Sequence, residues 1–340
     1  MDQTDEPFET ITADDVATRA GVSRWTVARA FKKDAAISAK ARLKVLAAAA
    51  ELGYVPDLLA SSLASDRSNL VALLVDDFEN PHKLVMLERL TRILRAAGYG
   101  TLLVNMLGEE DGPNALLAAS QRRVDAAVVI GTQFNDGVLR SALGARRVKQ
   151  IIVFARAGTG AGTISIGCDD VAAMTEITQH VLATGKRRPL FLAGPNTEST
   201  RLMRKDTFLR VWAEARPDDA PPAVIHIDDY SMALACERLT DALQALPAKD
   251  RPDAIICEND VLALGAIDAL KHRLGLCVPA DVAVTGFDDI PLAASPAYDL
   301  TTYRQPVTEM AKALVRVLEN GGSGAQDVLL GGKFIARRSA

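Results

Sequence analysis

The stretch Ile11-Thr-Ala-Asp-Asp-Val16-Ala-Thr-Arg-Ala20-Gly21-Val22-Ser23-Arg24-Trp25-Thr26-Val27-Ala28-Arg29 decides how the chain begins to fold. Thr12 is a good helix N-cap, Asp15 three residues on makes a short capping box, and Ile11 can staple onto Val16. Gly21 tolerates the left-handed conformation on which such a helix stops. Ser23 caps a second helix at once, with Val22 and Val27 as its staple. Farther on, Ser38 caps a third, in which Leu43, Leu46, Ala47 and Ala50 follow helical spacing up to a stop at Gly53. Helix, glycine turn, helix and supporting helix is the helix-turn-helix arrangement. Along the second helix Val27, Ala30 and Phe31 share one face, and Arg24, Trp25, Ala28, Arg29 and Lys32 share the other. A second helix of this kind lies in the major groove of DNA, with its N-terminal side chains on base edges.

Charge is distributed accordingly. The 340 residues carry 39 Lys and Arg against 43 Asp and Glu, a formal net charge of −4. Taken whole, that balance counts mildly against a nucleic-acid partner. Residues 1–15, however, hold six acids and no base, whereas residues 16–50 hold eight bases and only Asp34, a local +7. The remainder stands at −5, so a compact basic module is attached to a mildly acidic body.

The length suits two or three compact units, and 49% apolar with 24% charged residues is ordinary for a soluble globular protein. The longest apolar runs, such as Leu70–Val75, are far too short to span a membrane. Met1–Thr10 is acidic and has neither the basic start nor the apolar stretch of a secretory signal, so a cytoplasmic protein is expected. Cys168, Cys236, Cys257 and Cys277 form no C-x-x-C and read as small buried hydrophobes in a reducing compartment. The four histidines are scattered singly, and neither a metal nor a cofactor is expected.

From residue 70 onward apolar strands alternate with amphipathic helices. Strands are expected at Leu70–Val75, Thr101–Val104, Ala126–Ile130, Ile151–Phe154, Leu190–Ala193, Ala223–Ile227, Ala254–Cys257 and Val282–Phe287. Helices are expected at Lys83–Ala97, Val171–Ala183 and Val261–Arg273. Such a pattern implies parallel sheets covered on both faces, and its length suits two doubly wound subdomains. Ligands of open parallel sheets bind beyond the carboxyl ends of the strands. Asp76 and Asp77, Arg204, Asn259 and Asp260, and Asp288 and Asp289 fall there. Each can instead cap the next helix, and for Asp260 and Asp289 capping is at least as good a reading. Gly158-Thr-Gly-Ala-Gly162 lacks both a dinucleotide fingerprint and a Walker lysine and reads as a surface turn, as does Gly321-Gly-Ser-Gly324 near the last crossing between subdomains. No nucleophile–base pair assembles, so no enzyme is expected. Between the basic module and the body, Leu59 and Leu63 stand at i and i+4 in about two helical turns, too short to be stable alone. That segment is either a loose linker or a helix that orders only with a partner.

These motifs resemble the LacI/GalR (lactose-repressor/galactose-repressor) family of bacterial transcriptional regulators. The quoted stretch carries the resemblance together with Ile37-Ser-Ala-Lys-Ala-Arg42 and Ala50-Glu-Leu-Gly-Tyr54-Val-Pro56, and it runs from about Ile11 to Arg338. It implies an acidic leader at 1–10, an all-α helix-turn-helix headpiece at 11–55 and a hinge helix and linker at 56–69. Residues 70–340 would then form a periplasmic-binding-protein-like α/β core for effector binding and dimerisation. It further implies a repressor that binds a pseudopalindromic double-stranded operator as a homodimer, controlled by a small molecule, a sugar or sugar derivative. The DNA-binding residues it implies are Thr12, Ser23, Arg24, Trp25, Thr26, Ala28, Arg29, Lys32, Tyr54 and Leu63, the last wedging into the minor groove. The effector residues are Asp76, Arg204, Tyr230, Asn259 in Glu258-Asn-Asp-Val-Leu-Ala-Leu-Gly265, and Asp288 in Gly286-Phe-Asp-Asp289.

The chain departs from the pattern at Trp25 and Ala28, at Asp57 where Asn is common, and at His82, where an aromatic is common after Asn80-Pro81. Ala155 stands where some sugar-binding members carry Asp. A transport-type solute-binding protein shares the core fold, but the basic headpiece argues against that alternative. Replacing Leu63 with alanine is expected to cut operator affinity strongly and leave effector binding intact. A titration at fixed salt showing unchanged affinity would remove the hinge assignment.

Overall fold

The structure is a computed structural model that describes residues 11–32, 35–56, 67–106, 111–131, 148–156, 163–195, 202–321 and 326–340. The acidic leader, the hinge segment with Asp57 and Leu63, the 158–162 glycine turn and most of the 321–324 turn lie outside the described residues. By its internal contacts the chain divides into two compact units, Met1–Ser68 and Asn69–Ala340.

The smaller unit contains α1 (Ala13–Ala20), α2 (Arg24–Ala30) and α3 (Ala39–Leu52). All three begin at the expected caps. Thr12 and Asp15 close a reciprocal capping box, Ser23 accepts from the Thr26 amide, and Ser38 accepts from the Ala41 amide. Gly21 and Gly53 end α1 and α3 at φ of 65° and 69°, left-handed values that cost glycine no Cβ clash. Val16, Ala17, Val27, Ala30, Val45, Ala48 and Ala49 form the core of the unit. The expected apolar stripe of α3 needs correcting, because Leu43, Leu46, Ala47 and Ala50 are all exposed. In this alanine-rich helix a second register, Val45, Ala48, Ala49 and Leu52, satisfies the same spacing, and it is the one that packs. Arg42 is not a free surface charge. Its guanidinium donates to the carbonyls of Ala30 (2.8 Å), Lys32 (3.1 Å) and Ala35 (3.3 Å), covering acceptors at the C-terminal end of α2.

The larger unit holds two open parallel sheets. The first is built from β1 (Leu70–Val75), β2 (Gly100–Asn105), β3 (Ala126–Ile130), β4 (Ile151–Phe154), β5 (Thr163–Cys168) and β11 (Val328–Leu330), in the order β11-β5-β4-β3-β1-β2. Helices α4 (Pro81–Ala96) and α10 (Val307–Glu319) cover one face, and α5 (Asp111–Gln121) covers the other. The second sheet has β6 (Pro189–Ala193), β7 (Ala223–His226), β8 (Ala254–Cys257) and β9 (Ala283–Thr285), in the order β7-β6-β8-β9. One of its faces packs α6 (Asp170–Ala183) and α7 (Arg204–Ala215), the other α8 (Met232–Gln244) and α9 (Asp260–Asp268). The chain continues from α9 into a wider π turn over Ala269–Arg273. Both sheets are doubly wound, as the alternating pattern implies.

Four strands escape the sequence reading. In β5, small and polar residues interrupt the apolar run, and β10 (Thr302–Arg304), β11 and β12 (Lys333–Ile335) have only three residues each. β10 and β12 pair antiparallel. These short segments flank the places where the chain passes between subdomains, after β5, between β10 and α10, and between β11 and β12. Among the described residues no helix is long and apolar enough to cross a membrane.

Helices α8 and α9 approach closely at Gly265. A Cβ there would lie 2.3 Å from the Met232 carbonyl oxygen and 2.8 Å from the Ala235 Cβ. Gly265→Val is therefore expected to destabilise the larger unit by about 3 kcal/mol, because backbone rather than a mobile side chain must yield. Leu329→Ala, at a side chain 61% exposed, should change stability by less than about 0.5 kcal/mol. Urea unfolding of the full chain compares the two.

Candidate functional site

In the smaller unit, Val27 and Ala30 lock α2 into the three-helix core and leave its opposite face in water. Trp25 is 65% exposed, which no packing requirement explains. The Arg29 guanidinium lies over the indole, 4.1 Å from the ring centroid, so its fork is held rather than free to wander. Ala28 and Lys32 are exposed beside them. Arg24 reaches Asp14 of α1 at 3.3 Å. Thr12 and Ser23 serve as the caps of α1 and α2, and the Ser23 hydroxyl lies 3.0 Å from that of Thr26. Tyr54 is half-buried against Phe31, ring centroids 5.8 Å apart. Of the expected DNA-facing residues, then, Trp25, Ala28 and Lys32 are exposed along one strip, with the half-buried Arg29 stacked among them. Thr12, Ser23 and Thr26 are first of all engaged in capping. Leu63 lies outside the described residues.

In the larger unit, the carboxyl ends of both sheets border one cavity of about 60 Å³, small enough that only a few water molecules would fill it. Four of the five expected effector residues, Arg204, Tyr230, Asn259 and Asp288, line it. The fifth, Asp76, is not among the lining residues. Its carboxylate bonds the Lys83 ammonium at the start of α4 and rests against Gly131, where an added Cβ would strike it.

Arg204 opens α7 with only 4% of its surface exposed. Its Nε donates to Asp170 Oδ1 at 3.0 Å and its Nη1 to the Glu258 carbonyl at 2.8 Å. The guanidinium sits 3.6 Å from the centroid of the Phe287 ring. Burial works against its charge, but the carboxylates of Asp170, Asp288 and Glu258 hold it protonated, with a pKa above the ordinary arginine value. The pKa of Asp170 and of Glu258 is raised, first by burial and against the pull of Arg204.

Asn259 caps α9, its Oδ1 accepting from the Leu262 amide at 3.0 Å. Its NH2 is thus what it can offer a ligand. The neighbouring Asp260 faces away from the cavity, taking the Thr302 hydroxyl (2.6 Å) and the Ile290 amide (2.8 Å). Asp289 holds Arg304 and Arg337, each at 2.6 Å. Neither caps a helix; both tie segments together. Asp288 adopts a positive φ of 119°, rare outside glycine, and accepts from Gln305 Nε2 at 2.7 Å. The Tyr230 ring lies directly over Gly194, where a Cβ would come within 2.2 Å of it.

Several residues that the sequence reading passed over take part. Glu258 accepts the Gly194 amide beside Tyr230, and Asp170 and Phe287 hold Arg204. Gln305 and the buried Arg156 also line the cavity. Their place at strand ends and crossings was the available signal. His82, noted only as a departure, is 4% exposed and stands 3.7 Å from Asp288 across the cavity, its two ring nitrogens without hydrogen-bond partners. Among the described residues no His, Cys, Asp and Glu cluster is placed to hold a metal ion.

Burial, and then Arg204 and Lys83, hold the His82 pKa below its usual value, against the pull of Asp288. The unfolded chain therefore takes up a proton at His82 below about pH 6.5, where the folded chain still does not. Its contribution to stability is complete above that pH and is lost as pH falls toward the folded pKa. The loss is at most about 1.4 kcal/mol per pH unit for one group. His82→Gln is expected to flatten the fall in melting temperature between about pH 7 and about pH 5. An unchanged slope would assign the fall to other groups.

Comparison with known proteins bears on both sites. The sequence pattern described as "Bacterial regulatory proteins, lacI family" matches residues 12–57, and that described as "Periplasmic binding protein-like domain" matches residues 178–340. The HTH-type transcriptional regulator Rv3575c of Mycobacterium tuberculosis is 30% identical over 323 residues, 88% of each chain. The crystal structure of the lac repressor dimer bound to operator and the anti-inducer ONPF superposes with a TM-score of 0.82 at 24% identity, covering 97% of this chain and 99% of that one. The solved structure of the transcriptional regulator CelR–cellobiose complex gives a TM-score of 0.70 at 24% identity, covering 97% of this chain and 100% of that one.

Proposed function

This chain belongs to the lacI family of bacterial regulatory proteins, and on that footing we propose that it is a cytoplasmic repressor acting as a homodimer on a pseudopalindromic operator. The family is one of DNA-binding transcriptional regulators with an effector-binding core, not of enzymes. The observation that carries the proposal is the face of α2 turned away from the headpiece core, where Trp25 stands exposed with no packing role and holds the Arg29 guanidinium against its ring. An arginine fork of this kind pairs with guanine O6 and N7, and the flat apolar indole suits a thymine methyl.

The effector in this reading is a sugar or sugar derivative. What favours it is a cavity wall that mixes fixed donors and acceptors, Arg204, the Asn259 NH2 and Asp288, with the ring of Tyr230. A site built to bond hydroxyl groups discriminates strongly against ligands that lack them. Cellobiose in the CelR complex is a sugar held on the same fold. At about 60 Å³ the cavity must widen to admit a sugar ring, so binding and a change in the angle between the subdomains go together. Such a change could decide whether a marginal hinge helix forms.

Random-duplex selection with the full chain, repeated with a panel of mono- and disaccharides, tests the proposal. A twofold-symmetric sequence should be enriched, with one sugar altering its retention. Arg29→Ala should relax selection at one base pair per half-site, at a cost of about 1–3 kcal/mol. No enrichment under any condition would sink the repressor reading.

A further inference from the structure

A cavity of about 650 Å³, within the size range of small-molecule sites, lies against the second and third crossings of the larger unit. His82, Asp288 and Gln305 line both this cavity and the smaller one, and so form the wall the two share. The remaining wall comes from α4, the start of α10, the loop after β9 and the β10–β12 pair.

Its charges favour an anion. Arg304 and Arg337 both bond the single carboxylate of Asp289, which leaves one positive charge over. Lys333 has no ion-pair partner among the described residues, and Arg89 reaches only the adjacent Glu88, at 3.2 Å. Of the other acids at the cavity, Asp288 accepts from the neutral Gln305 amide and has the buried Arg204 as its opposing charge, and Glu309 approaches Lys312 at 4.0 Å. Helix α10 points its positive end here without a side-chain cap, since Pro306 offers none. The Val307 amide is met by the Gln305 carbonyl, but the amides of Thr308 and Glu309 have no acceptor within the helix.

A second kind of demand comes from the shared wall. Gln305 is 6% exposed with its Oε1 unpartnered, and His82 is 4% exposed with both ring nitrogens unpartnered. Groups buried this deeply are normally satisfied, and an amide oxygen requires a donor such as a hydroxyl.

We propose that this cavity is a second ligand site, distinct from the effector cleft, for a phosphate ester of a small polyol or sugar. Its phosphate takes the α10 amides and Lys333, and its hydroxyls face Gln305 Oε1 and His82. A ligand so placed bridges the two subdomains and presses on the wall of the effector cleft. The two occupancies are therefore linked, each altering the affinity of the other by the same factor.

The test titrates the full chain with inorganic phosphate, glycerol 3-phosphate and glycerol, ionic strength held constant with potassium chloride. Melting temperature and phosphorus-31 line width are read at the protein concentration used for DNA binding. Phosphate should bind saturably by phosphorus-31 line width and raise the melting temperature in step with the logarithm of its concentration, glycerol 3-phosphate should do both at lower concentration, and glycerol should leave the melting temperature unchanged. The Arg89→Ala/Lys333→Ala double variant should melt normally in chloride and bind phosphate at least about tenfold more weakly. No saturable effect, or a double variant that binds as well as the parent, overturns the site. Equal affinity for phosphate and its glycerol ester overturns the hydroxyl contacts. A chain that selects an operator but ignores phosphate loses this site alone, and one that binds phosphate but selects no operator loses only the regulator reading.

Discussion

Taking a guanidinium out of water costs several kcal/mol unless its charge and donors are met on the spot, and the core of the larger unit is arranged around meeting those of Arg204. Asp170, directly after the first crossing, takes Nε; the end of β8 takes Nη1; and Phe287, just past β9, supplies the aromatic face. Three segments distant in sequence are thereby registered on one side chain. Asn259 and Asp288 are the immediate neighbours of two of these partners, so their positions are inherited from Arg204. Removing Asp170 would leave a buried charge short of its counter-charge, a loss commonly about 3–5 kcal/mol.

A second buried carboxylate plays a quieter part. Asp260 is fully enclosed, and burial, reinforced by Asp288, pushes its pKa well above the usual carboxylate range. Its two oxygens join the start of α9 to the Thr302 hydroxyl and the Ile290 amide, which fixes the loop carrying Asp288 and Asp289. Gly286 passes so close that an added Cβ would lie 2.3 Å from Asp260 Oδ1. The left-handed backbone at Asp288 is sustained by this anchoring on one side and by Gln305 on the other.

What could be read in advance follows the range of the forces involved. Helix caps depend on residues two or three apart, and Thr12, Gly21, Ser23, Ser38 and Gly53 all act as their types predict. Long apolar strands announce themselves by burial on both faces. The misread stripe of α3 shows the limit, because an alanine-rich helix satisfies more than one helical register and only its neighbours choose. β10, β11 and β12 are too short to carry a periodicity at all. In the cavity, four of the residues named by resemblance line the wall, whereas the partners that hold them were not among those named. Glu258, Gln305 and Asp170 earn their places from contacts across 17 to 64 positions of sequence, beyond the reach of any local pattern. Charge shows the same division, since Arg42, part of the basic segment on paper, spends its donors on backbone carbonyls.

The three crossings also constrain how the molecule can be made. The first sheet does not belong to a continuous stretch of chain, since β11 completes it only after the whole second sheet has been made, and β12 then returns to pair with β10 beside the second. Ser339 joins the Thr301 amide to the Val284 carbonyl, and so fastens the last residues beneath β9. A ribosome releasing this polypeptide from its N-terminus therefore delivers a finished headpiece long before either half of the larger unit has all its strands. Every nascent chain passes through a stage in which a DNA-reading module exists without the domain that is to govern it.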